Sequence, residues 1–237
     1  MEKHVIACED ALKAWGTRRA ADIKGNVLPP QNIMPVLARE DALFRRLHFM
    51  ESSLNVNFSQ YNILDVGSAS GYGLLPFLNN GFSMSQLHGI DLFEERVDLG
   101  REKYPGLNLS LGDAVKMDQF RDGQFDMAME QFCFCHIEDD GIREKIARQM
   151  LRVVKPDGYI LVLDWIVGNA KRHYNGVPKS KRLSLFPGTK IIKTYPAMLA
   201  PPIGRLLSQH APWGYFIART VLPWLALSNL TLMRRIQ

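Results

Sequence analysis

No acidic residue occurs between Trp165 and Gln237, although the 237-residue chain has 24 aspartates and glutamates in all. That stretch holds five lysines and six arginines, so it carries +11, while residues 1–164, with 18 bases against 24 acids, carry −6. The net charge of +5 is the balance of two opposed regions, and it does not describe a uniformly basic surface of the kind nucleic acid selects. Cysteine is scarce: Cys8, Cys133 and Cys135 cannot make a disulfide framework, and a reducing, cytoplasmic location is expected. No apolar run follows the first residues Met1 to His4, so no secretory signal is expected. The most apolar stretch, Thr220 to Met233, is broken by Pro223, Ser228 and Asn229. It falls short of the roughly 20 apolar residues that span a bilayer. Repeats and low-complexity tracts are absent. Hydrophobic residues make up 46% of the chain and charged ones 22%, which supplies one substantial core and excludes a disordered polymer.

The coarse pattern is helical at residues 5–15 and about 35–50, with a loop at Gly25 to Pro30 between them. Apolar runs at Asn62–Val66, Leu87–Ile90, Leu107–Leu111, Phe125–Met129 and Tyr159–Leu163 then alternate with helical segments from Gly71, from Glu94 to Lys103 and from Asp139 to Val154. Lys155-Pro156-Asp157-Gly158 reads as the turn that stops the last helix. Strands alternating with helices imply an α/β fold, a doubly wound, largely parallel sheet with crossovers on both faces. Three regions are expected: an N-terminal helical lid at 1–59, the sheet core at 60–164, and a basic C-terminal helical and strand extension at 165–237 that completes the sheet and the acceptor pocket. The tryptophans and leucines of that extension are expected in the core.

Ile63-Leu64-Asp65-Val66-Gly67-Ser68-Ala69-Ser70-Gly71 joins a buried strand to a helix through a glycine-rich loop, where a ligand can lie on backbone N–H groups. The loop does not satisfy G-x-G-x-x-G from either Gly67 or Gly71, which weakens a nicotinamide reading. Asp91 closes the second strand, where a carboxylate can accept from both ribose hydroxyls. Asp113 closes the third, where it can accept from an exocyclic amino group. Three aspartates on one edge of an open α/β sheet stand where such sheets bind ligands.

The order of Leu64–Gly71, Gly89-Ile90-Asp91-Leu92, Gly112-Asp113-Ala114, Phe125-Asp126 and Leu151–Gly158 resembles the class I S-adenosylmethionine (SAM)-dependent methyltransferases, with their Rossmann-like sheet, over roughly residues 60–164. The resemblance implies SAM as cofactor, with Asp65, Gly67, Ser68, Ala69 and Gly71 around its methionine moiety, Asp91 and Leu92 at the ribose, and Asp113 and Ala114 at the adenine. Ala69 stands where the family's second loop glycine is usual. More narrowly, Leu87–Arg96, Glu130-Gln131-Phe132 and the Leu- and Pro-rich basic tail ending in Arg234-Arg235 resemble bacterial methyltransferases of polysaccharide and other small-molecule pathways.

Glu130 and Gln131 are candidates to line the cleft, and Gln131 is placed with the cofactor set. Asp126, at the opposite strand end, reads as structural. Cys133, Cys135 and His136 lack the spacing of a closed ligand set, so no metal site is expected. Methyl transfer to a hydroxyl needs a proton acceptor, for which His136 is the first candidate and Asp164 the second. His173 and Tyr174 are candidates for the acceptor pocket. The expected activity is methyl transfer to a small-molecule or glycan-type acceptor. A lipid or quinone acceptor at a membrane surface, touched peripherally by the basic tail, and a non-catalytic SAM-binding protein are the alternatives. Nucleic acid ranks low as a partner, because Glu130-Gln131-Phe132-Cys133 stands where base-amino methylation expects Asn/Asp-Pro-Pro-Tyr/Phe.

Overall fold

A computed structural model describes residues 28–169 and 175–236. The expected helix at 5–15 and the pocket candidates His173 and Tyr174 lie outside the described residues. The chain runs α1 (Pro30–Leu54), β1 (Ile63–Val66), α2 (Leu75–Leu78), β2 (Leu87–Asp91), α3 (Glu94–Lys103), β3 (Asn108–Leu111), β4 (Phe125–Gln131), α4 (Asp140–Val153), β5 (Val154–Trp165), α5 (Lys179–Leu185), β6 (Thr189–Pro196), α6 (Pro201–His210), α7 (Trp213–Val221) and β7 (Ser228–Arg235). The seven strands form one sheet in the order β3-β2-β1-β4-β5-β7-β6. The first five are parallel, and β7 pairs antiparallel with both β5 and β6. The doubly wound α/β core is thus completed by the C-terminal extension.

Strand alternation divides the core in two. Ile63, Leu87, Met127, Met129, Leu161 and Leu230 face one side, where Leu43, Leu47 and Met50 of α1 and Phe77 of α2 cover them. Leu64, Val66, Ile90, Ala128, Ile160 and Val162 face the other, under Ile146, Met150 and Val153 of α4 and Leu185 of α5. A third, smaller cluster joins Met34 and Ala38 of α1 to Leu199 and Tyr215.

Four expectations need correction. The helix from Gly71 is one 3-10 turn, Tyr72–Leu74, and one α turn, because Asn79-Asn80-Gly81 ends it at once. The segment Lys155–Gly158 is a bulge within β5, marked by a register shift against β4 and by Asp157 at φ +61°. The tail's tryptophans are not all core: Trp213 is 76% exposed and Trp224 70%. The helix expected near residue 35 begins one turn earlier, where Pro30 occupies the first turn and needs no N–H partner.

Two buried arginines tie the extension to the rest. Arg182 of α5 is fully buried; its guanidinium donates to the carbonyls of Val177 (2.9 Å) and Asp164 (3.0 Å), to Thr231 Oγ1 (2.7 Å) and to Asn229. Arg219 of α7 donates to Ala38 O of α1 (3.1 Å), to the Asp41 carboxylate and to Tyr195 Oη (3.3 Å). It therefore clamps α1, β6 and α7 together.

Candidate functional site

The glycine-rich loop leaves β1 at the carboxyl edge of the sheet and turns through two left-handed glycines, Gly67 (φ +74°) and Gly71 (φ +78°). A Cβ on Gly67 would lie 2.6 Å from Cys133 Sγ, so the loop can rest on the turn after β4 only as glycine. Between them Ala69 is also left-handed, at φ +48°, a conformation that strains a residue with a Cβ. What holds it is Asp91: its Oδ2 accepts from Ala69 N at 2.8 Å and its Oδ1 from Phe93 N at 3.0 Å. The end of β2 thus fixes the loop that leaves β1. α3 comes close behind, since a Cβ on its Gly100 would meet Ser70 O at 2.7 Å.

Asp65 is buried on the same side as Gln131, whose Nε2 donates to Gly73 O at 3.1 Å. A Cβ on Gly73 would fall 2.5 Å from Gln131 Nε2 and 2.8 Å from Asp65 Oδ2, so glycine is needed where the three meet. Burial pushes the Asp65 carboxyl up to about 8, opposed by the nearby Arg39 guanidinium and reinforced by Asp91. Arg39 extends from α1, with its guanidinium 4.9 Å from the Tyr72 ring centroid. Its Nη2 lies 3.9 Å from Glu40 Oε1, beyond hydrogen-bond reach.

Three buried polar atoms around this loop have no hydrogen-bond partner: Asp65 Oδ1, Ser68 Oγ and Arg39 Nη2. Unpaired buried groups are costly, and such a set is complementary to a ligand bearing both an ammonium and a carboxylate. The residues present therefore fit an amino-acid moiety such as the methionine of SAM. Asp113 sits at the end of β3, its Oδ1 accepting from Val115 N at 2.9 Å, which turns the chain at Ala114. Leu92, beside Asp91, exposes its side chain at the same edge.

The turn after β4 is built on a fully buried carboxylate. Glu130 Oε2 accepts from Cys133 N (3.0 Å) and Phe134 N (3.3 Å), and burial, aided by Asp164, raises its pKa well above the usual carboxylate range. Phe132 takes a left-handed φ of +58°, with its ring 5.4 Å from that of Trp165. His136 follows on the 3-10 turn Phe134–His136; burial and then Arg96 lower its pKa, which keeps it neutral at pH 7. Cys133 is held as a thiol, its pKa raised by burial and by the surrounding carboxylates.

The structure brings together Asp65, Gly67, Ser68, Ala69, Gly71, Asp91 and Gln131, and puts Leu92, Asp113 and Ala114 further along the same edge. Two candidates fall elsewhere. Glu130 faces the opposite side of the sheet from Gln131. Asp164 is fully buried, its Oδ2 accepting from Cys135 N (2.9 Å) and its Oδ1 from Trp165 N (2.7 Å). Asp164 is therefore a brace for the turn that carries His136, with no surface for an acceptor, and the base candidate reduces to His136. Asp126 binds Asn62 N (2.9 Å) and Lys155 Nζ (2.7 Å) at the other end of the sheet. Arg39 was not signalled by any motif; its place over the loop depends on how α1 docks.

Residues 64–162 match the family described as "Methyltransferase domain". A norajmaline N-methyltransferase of Rauvolfia serpentina is 32% identical over 110 residues, covering 44% of this chain and 36% of that protein. A sterol 4-C-methyltransferase of Caenorhabditis elegans, strm-1, is 28% identical over 122 residues, covering 47% of this chain and 34% of that one. The chain thus matches about a third of the length of these relatives. Among solved structures, a SAM-dependent methyltransferase from Mesorhizobium loti superposes with a TM-score of 0.56 at 16% identity, covering 82% of this chain and 98% of that one. The cyclase SpnF superposes equally well, at TM-score 0.55 and 16% identity over 82% of this chain and 81% of its own. Shared architecture therefore does not by itself state the reaction. Over residues 64–162 the chain is similar to this methyltransferase-domain family, and the sheet order and the strand-end carboxylates accord with that similarity.

Proposed function

We propose that this protein is a SAM-dependent methyltransferase acting on a small-molecule or glycan-type acceptor, with a hydroxyl oxygen as the group methylated. The observation that carries the cofactor reading is the trio of unpartnered buried atoms, Asp65 Oδ1, Ser68 Oγ and Arg39 Nη2, around the glycine-rich loop. Asp65 and Arg39 would hold the amino-acid end, Asp91 the ribose and Asp113 the adenine. When bound, SAM supplies a methyl group activated on a sulfonium. The protein's share is to orient the acceptor in line and to exclude water, which can contribute several kcal/mol in ordered sites. His136, neutral at pH 7 and on the turn after β4, would be the group that takes the acceptor's proton.

Calorimetry of the purified chain with SAM tests the first step: binding in the micromolar range or tighter is expected, and no binding by folded protein would sink the proposal. Tight binding without turnover on any alcohol, sugar or amine acceptor would point instead to a non-catalytic SAM-binding protein. A second reading, methylation of a lipid, draws on the sterol-modifying relative and on the exposed apolar face of α7. Turnover confined to acceptors presented in vesicles would favour it.

A further inference from the structure

We propose that the outer face of α6 and α7 docks on the surface of an anionic phospholipid bilayer. Trp213, Ile217 and Val221 follow at four-residue spacing along α7 and so share one stripe, with Trp224 on the next turn and Leu206 on α6. All five are between 55% and 76% exposed. The opposite face of α7 is fully engaged: Tyr215 and Arg219 are buried, Tyr215 Oη accepts from Leu199 N at 3.1 Å, and Arg219 is clamped onto α1. The stripe is thus held rigid and turned outward. Among the other described residues, Ile33 and Leu37 of α1 form a shorter exposed pair, and the remaining exposed large apolar residues are dispersed along the chain.

Composition and charge select the occupant. Tryptophan at both ends of an aliphatic stripe suits the interface between headgroups and acyl chains, where an apolar ring with one N–H donor is satisfied on both sides. The stripe lies in a segment without a single acidic residue, with Arg205 exposed beside Leu206 and Lys190 and Lys193 exposed on the edge strand β6. A second copy of the chain would bring the same acid-free segment against itself, whereas anionic lipid complements its exposed cations. Neither argument uses the methyltransferase reading, and loss of SAM binding would leave the inference standing.

The test is co-sedimentation of the full chain with phosphatidylcholine vesicles with and without phosphatidylserine. Expected is binding that needs phosphatidylserine, weakens with salt, and falls on the order of tenfold in the double variant Trp213→Ser/Trp224→Ser, whose circular dichroism should match wild type because both residues are exposed. Absence of binding, or binding that the double variant leaves unchanged, overturns the proposal. So does a concentration-dependent dimer in solution that the same substitutions dissolve without any vesicle binding, which would assign the stripe to a second copy. Quenching of wild-type fluorescence by brominated acyl chains, reduced in the double variant, would show that the stripe itself enters the lipid.

Discussion

Asp65 is a carboxylate that its own fold disfavours. Its pKa stands at about 8 when folded against 3.8 ordinarily, so the folded state holds more protons than the unfolded one across that range. Stability contributed by this group is present below pH 4 and is lost as pH rises to 8, by at most about 6 kcal/mol. Asp65→Asn should therefore melt higher than wild type at pH 8, with the difference closing towards pH 4, while losing affinity for SAM. Thermal melts at the two pH values and calorimetry check both parts. His136 carries the opposite shift: its lowered pKa means that the proton-accepting form survives below the usual histidine range. Activity should fall as pH drops through that pKa, and His136→Gln should reduce kcat roughly 100-fold or more with little change in KM. Ala69, left-handed at φ +48°, is the residue-scale departure from the family pattern. Ala69→Gly should relieve it and raise stability by about 0.5–1 kcal/mol in a denaturant titration. The loop and the three strand-end aspartates were legible in the sequence because each sits at a strand end. Which side a strand-end residue faces was legible too, through strand alternation: Glu130 shares parity with Ala128, and Asp164 with Val162, all against α4 and α5. Arg39 was not legible, since its role depends on the docking of α1 over the loop.

At the scale of elements, Arg219 does for α1 what Asp91 does for the loop. One guanidinium takes a carbonyl of α1, the carboxylate of Asp41 and the hydroxyl of Tyr195 on β6, and its Cζ lies 5.1 Å from the Tyr195 ring centroid. Arg219→Leu removes the ties to Ala38 O, Asp41 and Tyr195 Oη, leaves Asp41 to Arg45 alone, and loosens α1 against α7. A loss of about 3 kcal/mol is expected by denaturant titration. Because α1 carries Arg39, a weaker grip on SAM should accompany it. Helix α1 was visible as an amphipathic pattern, but its partners were not, since Met34 and Ala38 pack against Leu199 and Tyr215 far along the chain. The short α2 defeated periodicity for a local reason: one turn is too brief to show a repeat. The tail's tryptophans were assigned to the core by hydrophobicity alone, and hydrophobicity does not say which face of a helix finds a partner.

For the whole molecule, the division of charge follows the division of labour. The parallel strands and their carboxylates lie in the acidic part, and the basic part closes the sheet and buries two of its arginines, Arg182 and Arg219, in doing so. Part of the +11 therefore serves cohesion and never reaches solvent. The strand order has a further effect. β7 lies second from the edge, between β5 and β6, although it is formed by residues 228–235. A chain cut before Ser228 should lose solubility, because it bares a seven-residue edge of β5, from Tyr159 to Trp165, that β7 normally covers. During synthesis the same gap exists in every molecule for a time. The ribosome releases β5 and β6 before the strand that belongs between them, so the nascent sheet waits with two unmatched borders and is sealed by a single late insertion.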